Sequence, residues 1–216
     1  MTKVLGIDEA GRGPVIGPLV MAGVMIEEGR EAMLGEVKDS KLIPHKKRLK
    51  LDKHLRDNFQ HKIVIANPEE IDAALNSTDL NLNWLEAHKQ AEIINSLKPD
   101  VAIIDCPSTN PAKFTEYLKN LLENKSIKLI VEHKADAIYP VCSAGSILAK
   151  VERENQMEII KQKYGDCGPG YPANKKTQDF VKNNWDKYPE IFRKSWSTYK
   201  RFARPEGQKS LTGYEI

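Results

Sequence analysis

Val4-Leu5-Gly6-Ile7-Asp8-Glu9-Ala10-Gly11-Arg12-Gly13-Pro14 is the stretch on which the reading of this chain turns. A short apolar run with a β-branched residue at its head reads as a buried strand, and it delivers two adjacent acids to a tight, glycine-lined turn. Two carboxylates at the end of an apolar strand repel each other in a low-dielectric setting. That cost is met by protonation, by a cationic partner or by a metal ion. Side chains alternate along a strand, so Asp8 and Glu9 point to opposite faces unless the strand is already turning, and one of them points inward.

Working outward, Val101-Ala102-Ile103-Ile104-Asp105 repeats the pattern, an apolar run with an acid at its carboxyl end. Further apolar, β-branched runs at Ile16–Ile26, Ile63–Ala66 and Ile127–Val131 bring the expected strands to five. Helical periodicity covers Lys46–Phe59, Asn81–Leu97 and Pro111–Leu122, and Tyr139-Pro140 opens a long helix that Gly165 ends after about Tyr164. Strands separated by such helices imply parallel crossovers, whereas the short Gly- and Pro-rich link Gly11–Gly17 implies an antiparallel first pair. The expected fold class is therefore α/β, a mixed five-stranded sheet flanked by helices. If the first and fourth strands are parallel neighbours, Asp8, Glu9 and Asp105 emerge at one sheet edge, where sites form in open α/β sheets. Asp136 follows the fifth strand close to the same edge. Taken singly, Asp105 or Asp136 could equally be a turn former or a helix cap. As a set of four carboxylates without histidine or cysteine, they suit Mg²⁺ or Mn²⁺ rather than zinc.

The chain has 216 residues, 40% hydrophobic and 29% charged, enough for one sizeable core. We expect a single domain over 1–216, with a helical C-terminal extension at about 165–205 and a flexible tail over 206–216. The longest apolar stretch, Val15–Ile26, is broken by Gly17, Pro18 and Gly23 and falls short of a membrane helix. No basic-then-apolar signal segment precedes it, so a soluble, cytoplasmic protein without a membrane partner is expected. Cys106, Cys142 and Cys167 are odd in number and lack CxxC spacing, which argues for free thiols. The net charge of +3 is only mildly basic. Lysines and arginines nevertheless crowd positions 38–50 and again the last forty or so residues, Arg193 among them; beside an acidic site these become potential phosphate contacts. Several other motifs fail. Gly11-x-Gly13-x-x-x-Gly17 is followed by a strand-like rather than a helical sequence, against a dinucleotide loop. Ser146 and Lys150 are four apart, not the three of a Ser-x-x-Lys nucleophile, and read with Ser143 as one helical stripe.

Gly6–Pro18, Asp39-Ser40-Lys41, Ile104-Asp105, Ala135-Asp136-x-x-Tyr139-Pro140, Ser143–Val151 and Gly168-x-Gly170-Tyr171-Pro172, in this order, strongly resemble ribonuclease HII, the type 2 ribonuclease H, of archaeal type. The likeness spans nearly the whole chain. It implies a ribonuclease H-like fold in a monomer, with Asp8, Glu9, Asp105 and Asp136 as catalytic acids holding two divalent ions. The implied activity is endonucleolytic: hydrolysis of RNA paired with DNA, and cleavage on the 5′ side of ribonucleotides embedded in duplex DNA, in replication and ribonucleotide excision repair. It further implies that Gly11-Arg12-Gly13 and Tyr171 read the ribonucleotide, the glycines letting main-chain groups approach the 2′-hydroxyl that separates RNA from DNA. Phosphate contacts are then expected from Lys41, Lys46, Ser143, Ser146, Lys150 and the basic C-terminal part.

In the tail, Gln208, Leu211 and Tyr214 are spaced as in the motif by which replication proteins dock on a sliding clamp, with Glu215 in place of a second aromatic. Two other classes compete with the nuclease: a dinucleotide-dependent oxidoreductase, which requires a helix after Gly11, and a nucleic-acid-binding module without catalysis.

Overall fold

The structure, a computed structural model, describes residues 1–37 and 43–203. Lys41 and the tail, including Gln208, Leu211 and Tyr214, lie outside the described residues. Among the described residues the chain runs β1 (Lys3–Ala10), β2 (Leu19–Glu27), α1 (His45–Asn58), β3 (Gln60–Ala66), α2 (Pro68–Asn76), α3 (Leu82–Leu97), β4 (Val101–Asp105), α4 (Pro111–Leu121), β5 (Lys128–Glu132), α5 (Ala135–Ile138), α6 (Pro140–Tyr164), α7 (Lys175–Asn184) and α8 (Ser197–Phe202). Single 3₁₀ turns lie at Glu31–Leu34 and Pro189–Ile191. The five strands form one mixed sheet in the order β3-β2-β1-β4-β5.

β1 pairs with β2 antiparallel and with β4 parallel, and β4 pairs with β5 parallel. The β1–β4 register sets Val4 against Val101 and Ile7 against Ile104, so one residue further on Asp8 and Asp105 end neighbouring parallel strands. One expectation is corrected. The helix between β2 and β3 implied a parallel crossover, yet the pair is antiparallel, from Leu19 opposite Ala66 to Met25 opposite Gln60. α1 starts where His45 and Arg48 line the same groove as Tyr171 and ends with Asn58 and Phe59 at a pocket shared with Met25, so the chain enters β3 from the end at which β2 finishes. The second strand also begins at Leu19 rather than Ile16, because Val15 and Ile16 donate their N–H groups to Gly170 O at 2.8 and 3.3 Å instead of joining the sheet.

Strand alternation divides the core in two. Leu5, Ile7, Met21 and Ile104 pack against Ile93 of α3 and Phe114 of α4. Val4, Val20, Val24 and Ile103 pack on the other face against Val141, Ile147 and Leu148 of α6. Each such fully buried side chain contributes roughly 1.5–3 kcal/mol of transfer free energy. α6 approaches closely because two glycines face each other. A Cβ on Gly6 would lie 2.3 Å from the Val141 carbonyl carbon, and one on Gly145 would lie 2.8 Å from Ala22 O. A third cluster, with Val15, Ile16, Phe192 and Tyr199, folds the C-terminal segment back beneath the glycine-lined turn. No helix among the described residues is long and apolar enough to cross a membrane. Cys106, Cys142 and Cys167 are free and buried, as their spacing predicts.

Candidate active site

β1 continues as strand through Ala10, so Asp8 and Glu9 do point to opposite faces. Asp8 shares the α6 face with Val4, and Asp105 shares it with Ile103. Asp136 arrives from α5, where Lys134 adopts a left-handed conformation (φ 61°) and Ala135 N–H donates to Asp105 Oδ1 at 3.1 Å. Asp8, Asp105 and Asp136 each bring a carboxylate oxygen within 4.8 Å of the others. Glu9 lies outside that group. It shares the opposite face with Leu5 and Ile7, toward α3, and its Oε2 is buried without a hydrogen-bond partner.

The electrostatics match this crowding. Burial first, then the charges of Asp105 and Asp136, push the Asp8 carboxyl up to about 6, against hydrogen bonds from Ser146 and from Glu9 N–H. Burial, followed by the charges of Asp8 and Glu86, raises Glu9 well above the usual carboxylate range. A compact, oxygen-only donor set with an orphaned buried oxygen beside it fits hard divalent cations.

Ser143 and Ser146 were expected on a stripe facing phosphate, but both are buried, at 1% and 0% exposure. Ser143 Oγ donates to the Asp136 carbonyl and Ser146 bonds Asp8, so both brace the acids from behind. Lys150, two turns further along α6 from Ser143, is half-buried and lines an open groove of about 740 Å³ with Glu9, Gly11, Arg48, Arg153 and Tyr171. Lys46 is exposed at the start of α1. Tyr171 is 43% exposed, and beneath its ring sits the Arg153 guanidinium, 5.1 Å from the centroid, with Nη2 donating to Pro169 O at 3.0 Å. The tyrosine loop and the glycine-lined turn thus form one hydrogen-bonded unit through Gly170, Val15 and Ile16.

Gly11 has φ +90°, a conformation glycine adopts without steric cost, and it packs directly on the Arg153 side chain. Arg12 reaches α3, donating from Nε to Glu86 Oε1 at 2.9 Å and from Nη2 to Asn83 Oδ1 at 2.6 Å. Asn81 caps α3 by accepting from Trp84 N–H and so fixes where those partners stand. Arg193, grouped from sequence with the basic C-terminal cluster as a phosphate contact, is instead fully buried. Its fork donates to the carbonyls of Gly17, Arg12 and Gly11 at 3.0, 2.8 and 2.5 Å. Burial pushes its guanidinium down to about 9, and the neighbouring Arg153 charge adds to this. Trp196 Nε1 donates to Gly13 O at 3.0 Å, and buried Asp72 accepts from Lys194 N–H, Ser195 N–H and Ser195 Oγ, locking this strap in place.

Sequence reasoning missed Glu86 and Arg193. Glu86 had a signal: it stands four residues after Leu82 on the apolar stripe of α3, where an acid is out of place. Arg193 had none.

A mixed sheet with three aspartates converging at one edge, next to a glycine-lined turn, defines a nuclease site of the ribonuclease H class. Residues 5–199 match the family described as Ribonuclease HII. The chain is 40% identical over 208 residues to the ribonuclease HII of Methanosphaera stadtmanae, covering 94% of this chain and 96% of that one. The crystal structure of ribonuclease H2 from Pyrococcus horikoshii superposes with TM-score 0.83 at 39% identity, covering 93% of this chain and 97% of that chain. Ribonuclease HII of Archaeoglobus fulgidus, solved in complex with PCNA, gives TM-score 0.81 at 36% identity over 98% of this chain and all of that chain. The chain belongs to the ribonuclease HII family. It is a metal-dependent endoribonuclease, a hydrolase with ribonuclease H activity on RNA/DNA hybrids, and its fold is ribonuclease H-like.

Proposed function

We propose that the chain, beyond hydrolysing RNA in hybrids, cleaves on the 5′ side of ribonucleotides embedded in duplex DNA, with Asp8, Glu9, Asp105 and Asp136 holding two Mg²⁺ or Mn²⁺ ions. The observation that carries this reading is the convergence of Asp8, Asp105 and Asp136 within 4.8 Å, beside a turn whose main chain is fixed from below by Arg193. Bound divalent cations would supply an activated water and neutralise charge at the leaving 3′ oxygen. Asp8 and Asp105 at adjacent strand ends, Asp136 on α5 and Glu9 next to Asp8 would be the residues that hold them. Ser146 and Ser143 keep the first and third of these acids in place. In-line displacement gives a 3′-hydroxyl and a 5′-phosphate with no covalent enzyme intermediate.

Gly11, Arg12 and Gly13 read the 2′-hydroxyl through main-chain groups, and Tyr171 stacks on the neighbouring sugar from the other wall of the groove. Lys41, Lys46 and Lys150 contact phosphates, so binding weakens with salt. On this reading the chain works as a single-domain monomer on cytoplasmic DNA. The clamp complex of the Archaeoglobus fulgidus relative supports docking of Gln208, Leu211 and Tyr214 on a sliding clamp.

The test is a duplex carrying one ribonucleotide, incubated with and without Mg²⁺ or Mn²⁺, with products sized on a gel. Metal-dependent cleavage on its 5′ side is expected; intact duplex with both metals, from protein that does cleave a long hybrid, would overturn the proposal.

A further inference from the structure

Glu86 is not one of the four acids proposed to hold cations, although its charge acts on Glu9, and its side chain is fully buried, whereas its partner Arg12 is 38% exposed. We propose that Glu86 is the positioning residue of the Gly11-Arg12-Gly13 turn, holding the Arg12 guanidinium against α3 so that the turn meets a ribose in one fixed orientation. The inference rests on the reading of this turn as the ribonucleotide sensor.

The asymmetry of burial carries the argument. An acid that cannot turn to solvent must be met by a cation where it stands. Arg12 Nε lies 2.9 and 3.2 Å from the two Glu86 oxygens, and Nη2 is taken by Asn83, one helical turn earlier on the same face of α3. Among the described residues Arg12 is the only cation bonded to Glu86, and Arg193, the other guanidinium nearby, spends its fork on main-chain carbonyls. Arg12 thus has one fixed anchor rather than a choice of rotamers. The anchor matters because of what flanks it. Gly11 lies at φ +90°, and a Cβ on Gly13 would meet nothing within 4 Å, so among the described residues the Gly13 side of the turn is held by the Arg193 bond to Arg12 O, the Trp196 bond to Gly13 O and the Arg12 side chain. A turn that is competent only part of the time binds more weakly by that fraction. Arg193 fixes the carbonyls from below and Glu86 fixes the side chain from the α3 side; together they remove that loss.

The test measures kcat and KM separately on the one-ribonucleotide duplex for the wild-type chain, Glu86→Ala, Glu86→Gln, Arg12→Ala and the Arg12→Ala/Glu86→Ala pair. Glu86→Ala is expected to raise KM about tenfold with kcat within about threefold, and Glu86→Gln, whose amide oxygen still accepts from Arg12 Nε, to recover most of that loss. In the Arg12→Ala background, Glu86→Ala adds less than about twofold. If Glu86→Ala does not fold, Glu86→Leu takes its place in the same cycle. Unchanged KM in the Glu86 variants, or losses that simply add with Arg12→Ala, would overturn the inference. A wild-type chain that leaves this duplex uncut overturns the proposed function instead, so the two failures are separable.

Discussion

The two sides of β1 hold their charges by opposite means. On the α6 side Asp8, Asp105 and Asp136 gather like charges, each with a carboxylate oxygen within 4.8 Å of the others. On the α3 side Glu86 is matched by Arg12, and the turn's carbonyls are matched by Arg193. The first side is the one we propose to hold cations. On the second, Glu86 and the turn's carbonyls are matched within the protein and are therefore preorganised before any nucleic acid arrives, while Glu9 keeps a buried oxygen without a hydrogen-bond partner. The difference separates chemistry from recognition: substitutions of Asp8, Asp105 or Asp136 should remove cleavage while sparing stability and binding, and substitutions of Glu86, Arg12 or Arg193 should do the reverse.

The largest break is Asp8→Asn. Cleavage should fall by at least roughly 10²–10³-fold while duplex affinity, followed by fluorescence anisotropy, stays within a few-fold. Cleavage near the wild-type rate would remove Asp8 from the chemistry. Next is Arg193→Ala, which leaves three carbonyls without their donor; denaturant unfolding should show a loss of about 3 kcal/mol or more. A loss below about 1 kcal/mol would mean that the turn does not depend on this strap. The smallest effect sharpens the groove: Lys150→Ala should weaken duplex binding and reduce the slope of log affinity against log salt by about one, and an unchanged slope would place this lysine off the phosphate path.

Much of the fold is legible in the residues because short, continuous apolar runs ending in acids, such as Val4–Asp8 and Val101–Asp105, are short-range signals. The direction of β3 was not legible. It depends on the end of the sheet at which the chain enters β3, a long-range property that no local pattern in Lys46–Phe59 encodes. The same division holds at the site. The acids announce themselves by ending apolar strands, and Gly11-Arg12-Gly13 by its composition. Arg193 does not, because a buried arginine whose fork serves main-chain carbonyls looks, in sequence, like any member of a basic cluster. Ser143 and Ser146 were found for the right helix but given the wrong direction, since the glycine contact that presses α6 onto β1 is a property of two distant positions, Gly6 and Gly145.

The central claim, that the like-charged α6 side is a seat for cations, is tested most directly by thermal unfolding of metal-free protein. Folding raises the Asp8 carboxyl from 3.8 to about 6, so the folded state holds that proton more tightly than the unfolded chain; this contribution to stability is lost as pH rises through about 6. At pH 7.5, Asp105→Asn, which removes one of the repelling charges, should therefore melt about 2–4 °C above the wild-type chain. Added Mn²⁺ should raise the wild-type midpoint and leave the variant's almost unmoved. A metal-free variant that melts below the wild type, together with a wild-type midpoint indifferent to Mn²⁺, would contradict the account.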